Sequence, residues 1–141
     1  MMRRKYQLVL VLALFLLGAS SFVQSFDLTK SIARGKEAYS ANCQNCHMAD
    51  GKGLPGAFPP LAKSNYLSKP TGELISYVLK GQTGEITVNG TVYNAVMPAQ
   101  DYLTDEQIAD IYNYVKNSWG NKSTVAITPA MVSKKRTELS K

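Results

Sequence analysis

The sequence predicts a mostly α-helical fold: three main helices around one shared core, with a small β-hairpin set before the last of them. Three observations carry that reading. Apolar residues recur at helical spacing in residues 29–41, in residues 70–80 and again from Thr104 onward. Between the second and third stretches, Asn89-Gly90 is flanked by the β-branched residues of Ile86-Thr87-Val88 and Thr91-Val92-Tyr93, a hairpin signature. The length of 141 residues leaves room for one domain plus extras, and 45% apolar residues is ordinary for a globular chain. The chain divides into a leader (1–25), a central domain (26–120) and a basic C-terminal tail (121–141).

Residues 1–25 have the layout of a secretory signal peptide. A positive start, Met1 to Lys5, is followed by an apolar run from Leu8 to Leu17 and then by Gly18-Ala19-Ser20-Ser21. The apolar run is too short for a comfortable transmembrane span. Cleavage after Ser21 and cleavage after Ser25 satisfy the small-residue rule equally, and an uncleaved membrane anchor is the alternative.

The first helix is expected over Thr29–Ala41, with Ile32, Gly35, Ala38 and Tyr39 on one face. Gly35 lies one turn from Tyr39 and opens a notch beside its ring. A mid-helix glycine costs about 1 kcal/mol relative to alanine, so a second helix crossing closely at the notch is the expected reason for it.

Cys43-Gln44-Asn45-Cys46-His47 follows directly. Two cysteines three apart with a histidine behind the second form the pattern to which haem is attached covalently. Cys43 and Cys46 come off one side of a turn-to-helix segment, placed to bond the two vinyl groups of one porphyrin, while His47 supplies an axial nitrogen to its iron. The competing chemistries fit poorly. A structural zinc site needs four ligands, yet the two cysteines and the single histidine of the chain all lie inside this motif. A thioredoxin-like Cys-x-x-Cys belongs in a βαβ unit, which is missing here, and a disulfide would close too small a loop to stabilise much.

Met48 to Gly53 then form a glycine-rich turn, and Phe58-Pro59-Pro60-Leu61 follows. A ligating histidine needs its other ring nitrogen held by an acceptor, and Pro59, whose rigid ring fixes its carbonyl direction, is the candidate. Residues Pro70 to Lys80 read as a helix opened by proline and stopped by Gly81, burying Leu74, Ile75, Val78 and Leu79. The hairpin leads into Asn94-Ala95-Val96-Met97-Pro98. With the only histidine used, a closed iron site needs a thioether as its sixth ligand. Met1 and Met2 fall in the leader, Met48 is too close to His47 to reach the other side of the iron, and Met131 lies in the tail. Met97 remains.

The last main helix starts at Thr104, where Thr104-Asp105-Glu106-Gln107 is a capping box. Ile108, Ile111, Tyr112 and Val115 form its apolar stripe, Tyr114, Trp119 and Gly120 close it, and its expected partner is the Gly35/Tyr39 face. Thr128-Pro129-Ala130-Met131-Val132 reads as a short capped turn before the basic end. Charge is uneven. Residues 27–120 carry 8 basic and 9 acidic side chains, whereas residues 121–141 carry five basic and one acidic. There is no basic stripe interleaved with aromatics, so nucleic acid is excluded as a partner, and the tail charges read as a solvated end.

Three helices, a haem motif at the first and a methionine loop before the last resemble the class I cytochrome c fold over roughly residues 29–120. The twelve-residue step from His47 to Pro59 is the spacing at which that family places the proline that accepts from the haem histidine. Gly81 to Met97-Pro98, with Val88-Asn89-Gly90 and Tyr93-Asn94, is similar to a narrower group, as are Trp119-Gly120-Asn121 and the Thr-Pro-x-x-Val tail. That group comprises the monohaem cytochromes, free or as attached domains, of bacterial periplasmic reductases and dehydrogenases, such as copper nitrite reductases and quinoprotein dehydrogenases. Mitochondrial cytochrome c, with its basic face, matches less well.

The expected function is one-electron transfer in the periplasm by a covalently bound haem c ligated through His47 and Met97. Its redox partners would be a reductase, a dehydrogenase or a terminal oxidase, and it would meet a membrane only if the leader is retained. It is read as a carrier rather than an enzyme, since filling both axial positions leaves no open site for substrate. The alternative is a haem-based gas sensor in which Met97 dissociates. A peroxidase would want a second histidine.

Overall fold

The computed structural model describes residues 25–141, and the signal-peptide reading falls almost wholly outside them. Among these residues lie five α-helices and one antiparallel two-stranded sheet: α1 (Leu28–Asn42), α2 (Gln44–His47), α3 (Thr71–Lys80), β1 (Ile86–Val88), β2 (Thr91–Tyr93), α4 (Asp105–Val115) and α5 (Pro129–Leu139). A 3₁₀ turn, Asn65–Ser68, precedes α3. None of the described helices is long and apolar enough to cross a membrane.

The Asp27 side chain caps α1 by accepting the Lys30 amide at 3.0 Å. The buried face of α1 is Ser31, Gly35 and Tyr39, residues spaced four apart. The expected Ile32 and Ala38 are only partly covered. Ser31 takes the deepest position because its hydroxyl has partners there, donating to Asp110 of α4 and accepting from Asn113 Nδ2 at 2.8 Å. At α4 the capping box is closed, with Thr104 Oγ1 accepting the Gln107 amide at 3.1 Å and Gln107 Oε1 accepting the Thr104 amide at 2.9 Å. Its apolar stripe is buried as expected. The helix ends at Val115, short of Trp119, whose left-handed φ of 53° turns the chain.

Proline-capped α3 buries Leu74, Ile75, Val78 and Leu79. The hairpin register pairs Ile86 with Tyr93 and Val88 with Thr91, and φ is positive at both Asn89 and Gly90. That backbone twist matches the twist of the flanking strands. The hairpin turn is anchored to the first residue of the 3₁₀ turn. Asn65 and Asn89 each donate a backbone amide to the other's side-chain oxygen, at 2.9 and 3.0 Å.

The C-terminal segment departs from expectation. Where the sequence suggests a short capped turn and a solvated basic end, the chain forms α5, eleven residues long. Ile127 and Val132 are fully enclosed in the common core. Asn113 clamps the approach, its Nδ2 donating to the Ile127 carbonyl and its Oδ1 accepting the Ile127 amide, both at 2.8 Å. The Arg136 guanidinium is a crosslink: it donates to the carbonyls of Asp101 and Leu103, both at 2.8 Å, and to the Asp105 carboxylate at 3.0 Å.

Candidate haem-binding site

The haem motif begins where α1 stops. The Cys43 amide still donates to Tyr39 O at 2.8 Å, and the His47 amide donates back to Cys43 O at 3.0 Å, forming α2. This one turn of helix brings Cys43, Cys46 and His47 onto the wall of a single cleft. The cleft encloses about 1090 Å³ of empty space, its mouth included. Most of its surface is hydrocarbon and ring: Leu74 and Val78 of α3, Ile111 and Val115 of α4, and Ile86 and Val88 of β1. Met97, on the loop after β2, lines the same space. Met48 and Met131 do not, and Met131 is exposed on α5.

His47 Nδ1 lies 3.0 Å from the carbonyl oxygen of Pro59, the residue expected to hold it. With Nδ1–H donating there, the neutral ring keeps its lone pair on Nε2. Burial drives the imidazole pKa below its ordinary 6.5 and so favours this neutral form, while the hydrogen bond to the Pro59 carbonyl pulls the other way. Burial pushes the Cys43 thiol up to about 11, with the neighbouring Cys46 adding to the effect. Both cysteines are unbridged. Among the described residues no group of three or more His, Cys, Asp and Glu side chains is arranged to hold a metal ion.

Behind the motif, Tyr39 donates its hydroxyl to Met48 O at 2.7 Å, and burial raises its pKa. Its ring meets Tyr114 and Trp119 at centroid distances of 5.5 and 5.1 Å. Sequence reasoning missed a second cluster at the cleft. Tyr66 and Tyr77 both line it, and Lys69 Nζ sits 4.7 Å from the Tyr66 ring centroid and 5.7 Å from that of Tyr77. Glu73 accepts from Lys69 at 2.6 Å and from the Tyr77 hydroxyl. The four-residue steps Lys69–Glu73–Tyr77 were the available signal.

The residues present fit a flat, largely apolar macrocycle carrying iron. Two adjacent thiols, an oriented imidazole and a thioether share one cleft, and its walls would keep water from the metal. Fold and site together define a protein with a covalently attached haem. The cytochrome c family model matches residues 32–119. The chain is 39% identical over 119 residues to cytochrome c-552 of Thermus thermophilus, covering 82% of this chain and 74% of that protein. It is 32% identical over 95 residues to cytochrome c-555 of Prosthecochloris aestuarii, covering 67% of this chain and 91% of that one. A match of 35% over 107 residues to the cytochrome c subunit of the quinone-dependent alcohol dehydrogenase of Gluconobacter oxydans covers 73% of this chain but 22% of that subunit. The chain belongs to the cytochrome c family, which carries haem c bound covalently with its iron and serves electron transfer.

Proposed function

We propose that this protein is an exported carrier of single electrons whose haem is tethered through Cys43 and Cys46 and ligated by His47 and Met97. When bound, the haem supplies a reversible one-electron couple, and the chain does the rest. Pro59 fixes the His47 tautomer and ring direction, which strengthens the nitrogen donor. Met97 would hold the iron with a soft sulfur that favours the reduced state. The aliphatic walls from α3, α4 and β1 exclude water, and so limit solvent reorganisation when the charge changes. With His47 and Met97 both holding the iron, no site would be left for a substrate.

Its partners would be periplasmic oxidoreductases: a reductase, a dehydrogenase or a terminal oxidase. The relatives that are dehydrogenase subunits support that class. The charge balance of residues 27–120, 8 basic against 9 acidic, gives little electrostatic steering, so docking should be brief and only weakly salt-dependent. The observation that carries the reading is the meeting of His47 and Met97, fifty residues apart in the chain, at one apolar cleft. Carbon monoxide added to the ferrous protein tests it. A carrier with both ligands held keeps its spectrum, whereas a shift to a CO-bound spectrum would favour a ligand-binding sensor.

A further inference from the structure

The loop bearing Met97 is braced from one side by the end of α3. Gln82 and Met97 form an isolated antiparallel bridge, the Gln82 amide donating to Met97 O at 2.8 Å and the Met97 amide to Gln82 O at 2.9 Å. One turn back, Val78 O accepts the Gln100 amide at 2.8 Å. Between these anchors lies Gly81, with φ 71° and ψ −173°, a combination reserved for glycine. The space beside it is already taken. A Cβ on Gly81 would stand 2.4 Å from Met97 O, 2.7 Å from the Ala99 amide nitrogen and 2.9 Å from the Pro98 carbonyl carbon. All three obstacles are backbone, so no side-chain rotation relieves them.

We propose that Gly81 is a positioning residue for the sixth haem ligand: its missing side chain lets the Met97–Ala99 backbone close onto α3, and that contact sets where the Met97 sulfur sits. The inference rests on Met97 being the ligand. It gives a second role to a residue whose obvious one is to stop a helix. Ending α3 requires only the backbone conformation, whereas seating the methionine loop also requires the empty space.

Gly56 supplies the control. It too has a left-handed φ, 76°, and a Cβ there meets nothing within 4 Å, and it lies exposed, off the wall of the cleft. Gly81→Ala and Gly56→Ala therefore both strain a left-handed φ, and the collision with the methionine loop falls on Gly81 alone. The haem-loaded ferric proteins are compared by the sulfur-to-iron charge-transfer band, scaled to the main haem absorbance so that only folded, loaded protein counts. Gly81→Ala should lose more than half of the scaled band and Gly56→Ala less than a tenth, with Met97→Ala losing all of it. Equal retention in the two glycine variants, with the band gone in Met97→Ala, overturns the positioning role and leaves the ligand reading standing. A band that survives Met97→Ala overturns both.

Should Gly81→Ala yield no folded protein, hydrogen exchange in the unaltered ferric protein decides. A brace requires the Gln82 and Met97 amides to exchange as slowly as the slowest amides of the β-hairpin. Exchange tenfold faster than those would mean that the bridge opens freely and positions nothing.

Discussion

Gly35 of α1 carries the backbone of Asp110 of α4 directly on its Cα: a methyl group at Gly35 would stand 1.9 Å from the Asp110 carbonyl oxygen and 2.8 Å from Tyr114 Cβ. The two helices that frame the haem motif meet at this point. Helix propensity alone would reward Gly35→Ala by about 1 kcal/mol. The collision with backbone instead forces the helices apart and exposes part of the interface around Tyr39. We expect a net loss of about 2–3 kcal/mol, read as a lowered midpoint in guanidinium unfolding of the haem-loaded protein. An unchanged or raised midpoint would contradict the close crossing.

Beside that crossing, Asp110 is buried and takes its charge-assisted bonds from Arg34, at 2.7 Å from Nε and 2.9 Å from Nη2. Every buried side-chain nitrogen and oxygen among the described residues has a partner. Arg34→Ala leaves the Asp110 carboxylate with only the Ser31 hydroxyl. Because the arginine is half exposed, with 47% of its side chain accessible, water recovers some of the loss, and about 2 kcal/mol is expected rather than the full penalty for a broken buried pair. Lys30→Ala removes an exposed partner of Asp27 and spares the cap, so it should change stability by less than about 0.5 kcal/mol. Thermal melts of the two variants side by side give the comparison, and equal losses would refute it.

The Lys69–Glu73–Tyr77 cluster predicts a pH dependence with a definite sign. Hydrogen bonds to Glu73, first from Lys69 and then from Tyr77, hold its carboxyl below the ordinary 4.5. A carboxylate with a lowered folded pKa binds fewer protons folded than unfolded. Its contribution to stability is therefore present above 4.5 and fades as the pH falls through the lowered value. Carbon-detected NMR titration should place the Glu73 midpoint below that of a free glutamate in the native protein and return it toward the ordinary value in Lys69→Met. No movement on losing Lys69 would mean the pair does not persist in solution.

How much of this was legible in the sequence depended on whether a contact obeys a local period. The α4 capping box, the Asn89-Gly90 turn, the α3 stripe and the Gly35 notch are patterns within a few residues, and each lies where the pattern put it. The Pro59 carbonyl on His47 was also legible, because ligand chemistry demands an acceptor and a rigid proline supplies one. The brace of Gly81 and Gln82 on Met97 was not. It joins segments about fifteen residues apart through backbone atoms, which carry no sequence signature, and Gly81 already had a sufficient explanation as a helix stop. Ser31, Asp110 and Asn113 were hidden for a related reason. Polar residues read as surface until their partners are known, and these three are joined through the Ser31 hydroxyl, with Arg34 completing Asp110 and the Ile127 backbone completing Asn113.

The C-terminal helix was the largest misreading, and it yields the last prediction. Its only buried residue is Val132, so α5 has no apolar stripe for a periodicity rule to find. It is held by one enclosed side chain, by Asn113 acting on Ile127, and by Arg136 reaching two carbonyls and a carboxylate. Charge counting took Arg136 for a solvated cation, whereas its three bonds fasten α5 to the segment after the Met97 loop and to the first residue of α4. Stability therefore depends on a residue that composition assigns to a tail. Val132→Ala removes two methyl groups from a fully enclosed position and should cost about 2 kcal/mol. Met131→Ala, at the exposed neighbour with 43% of its surface accessible, should cost less than about 0.5 kcal/mol. Arg136→Met should loosen the far end of the helix, seen as faster amide exchange across Lys134–Leu139, while the hairpin amides stay as slow as before. Equal and negligible effects of Val132→Ala and Met131→Ala would show that α5 is not docked in solution.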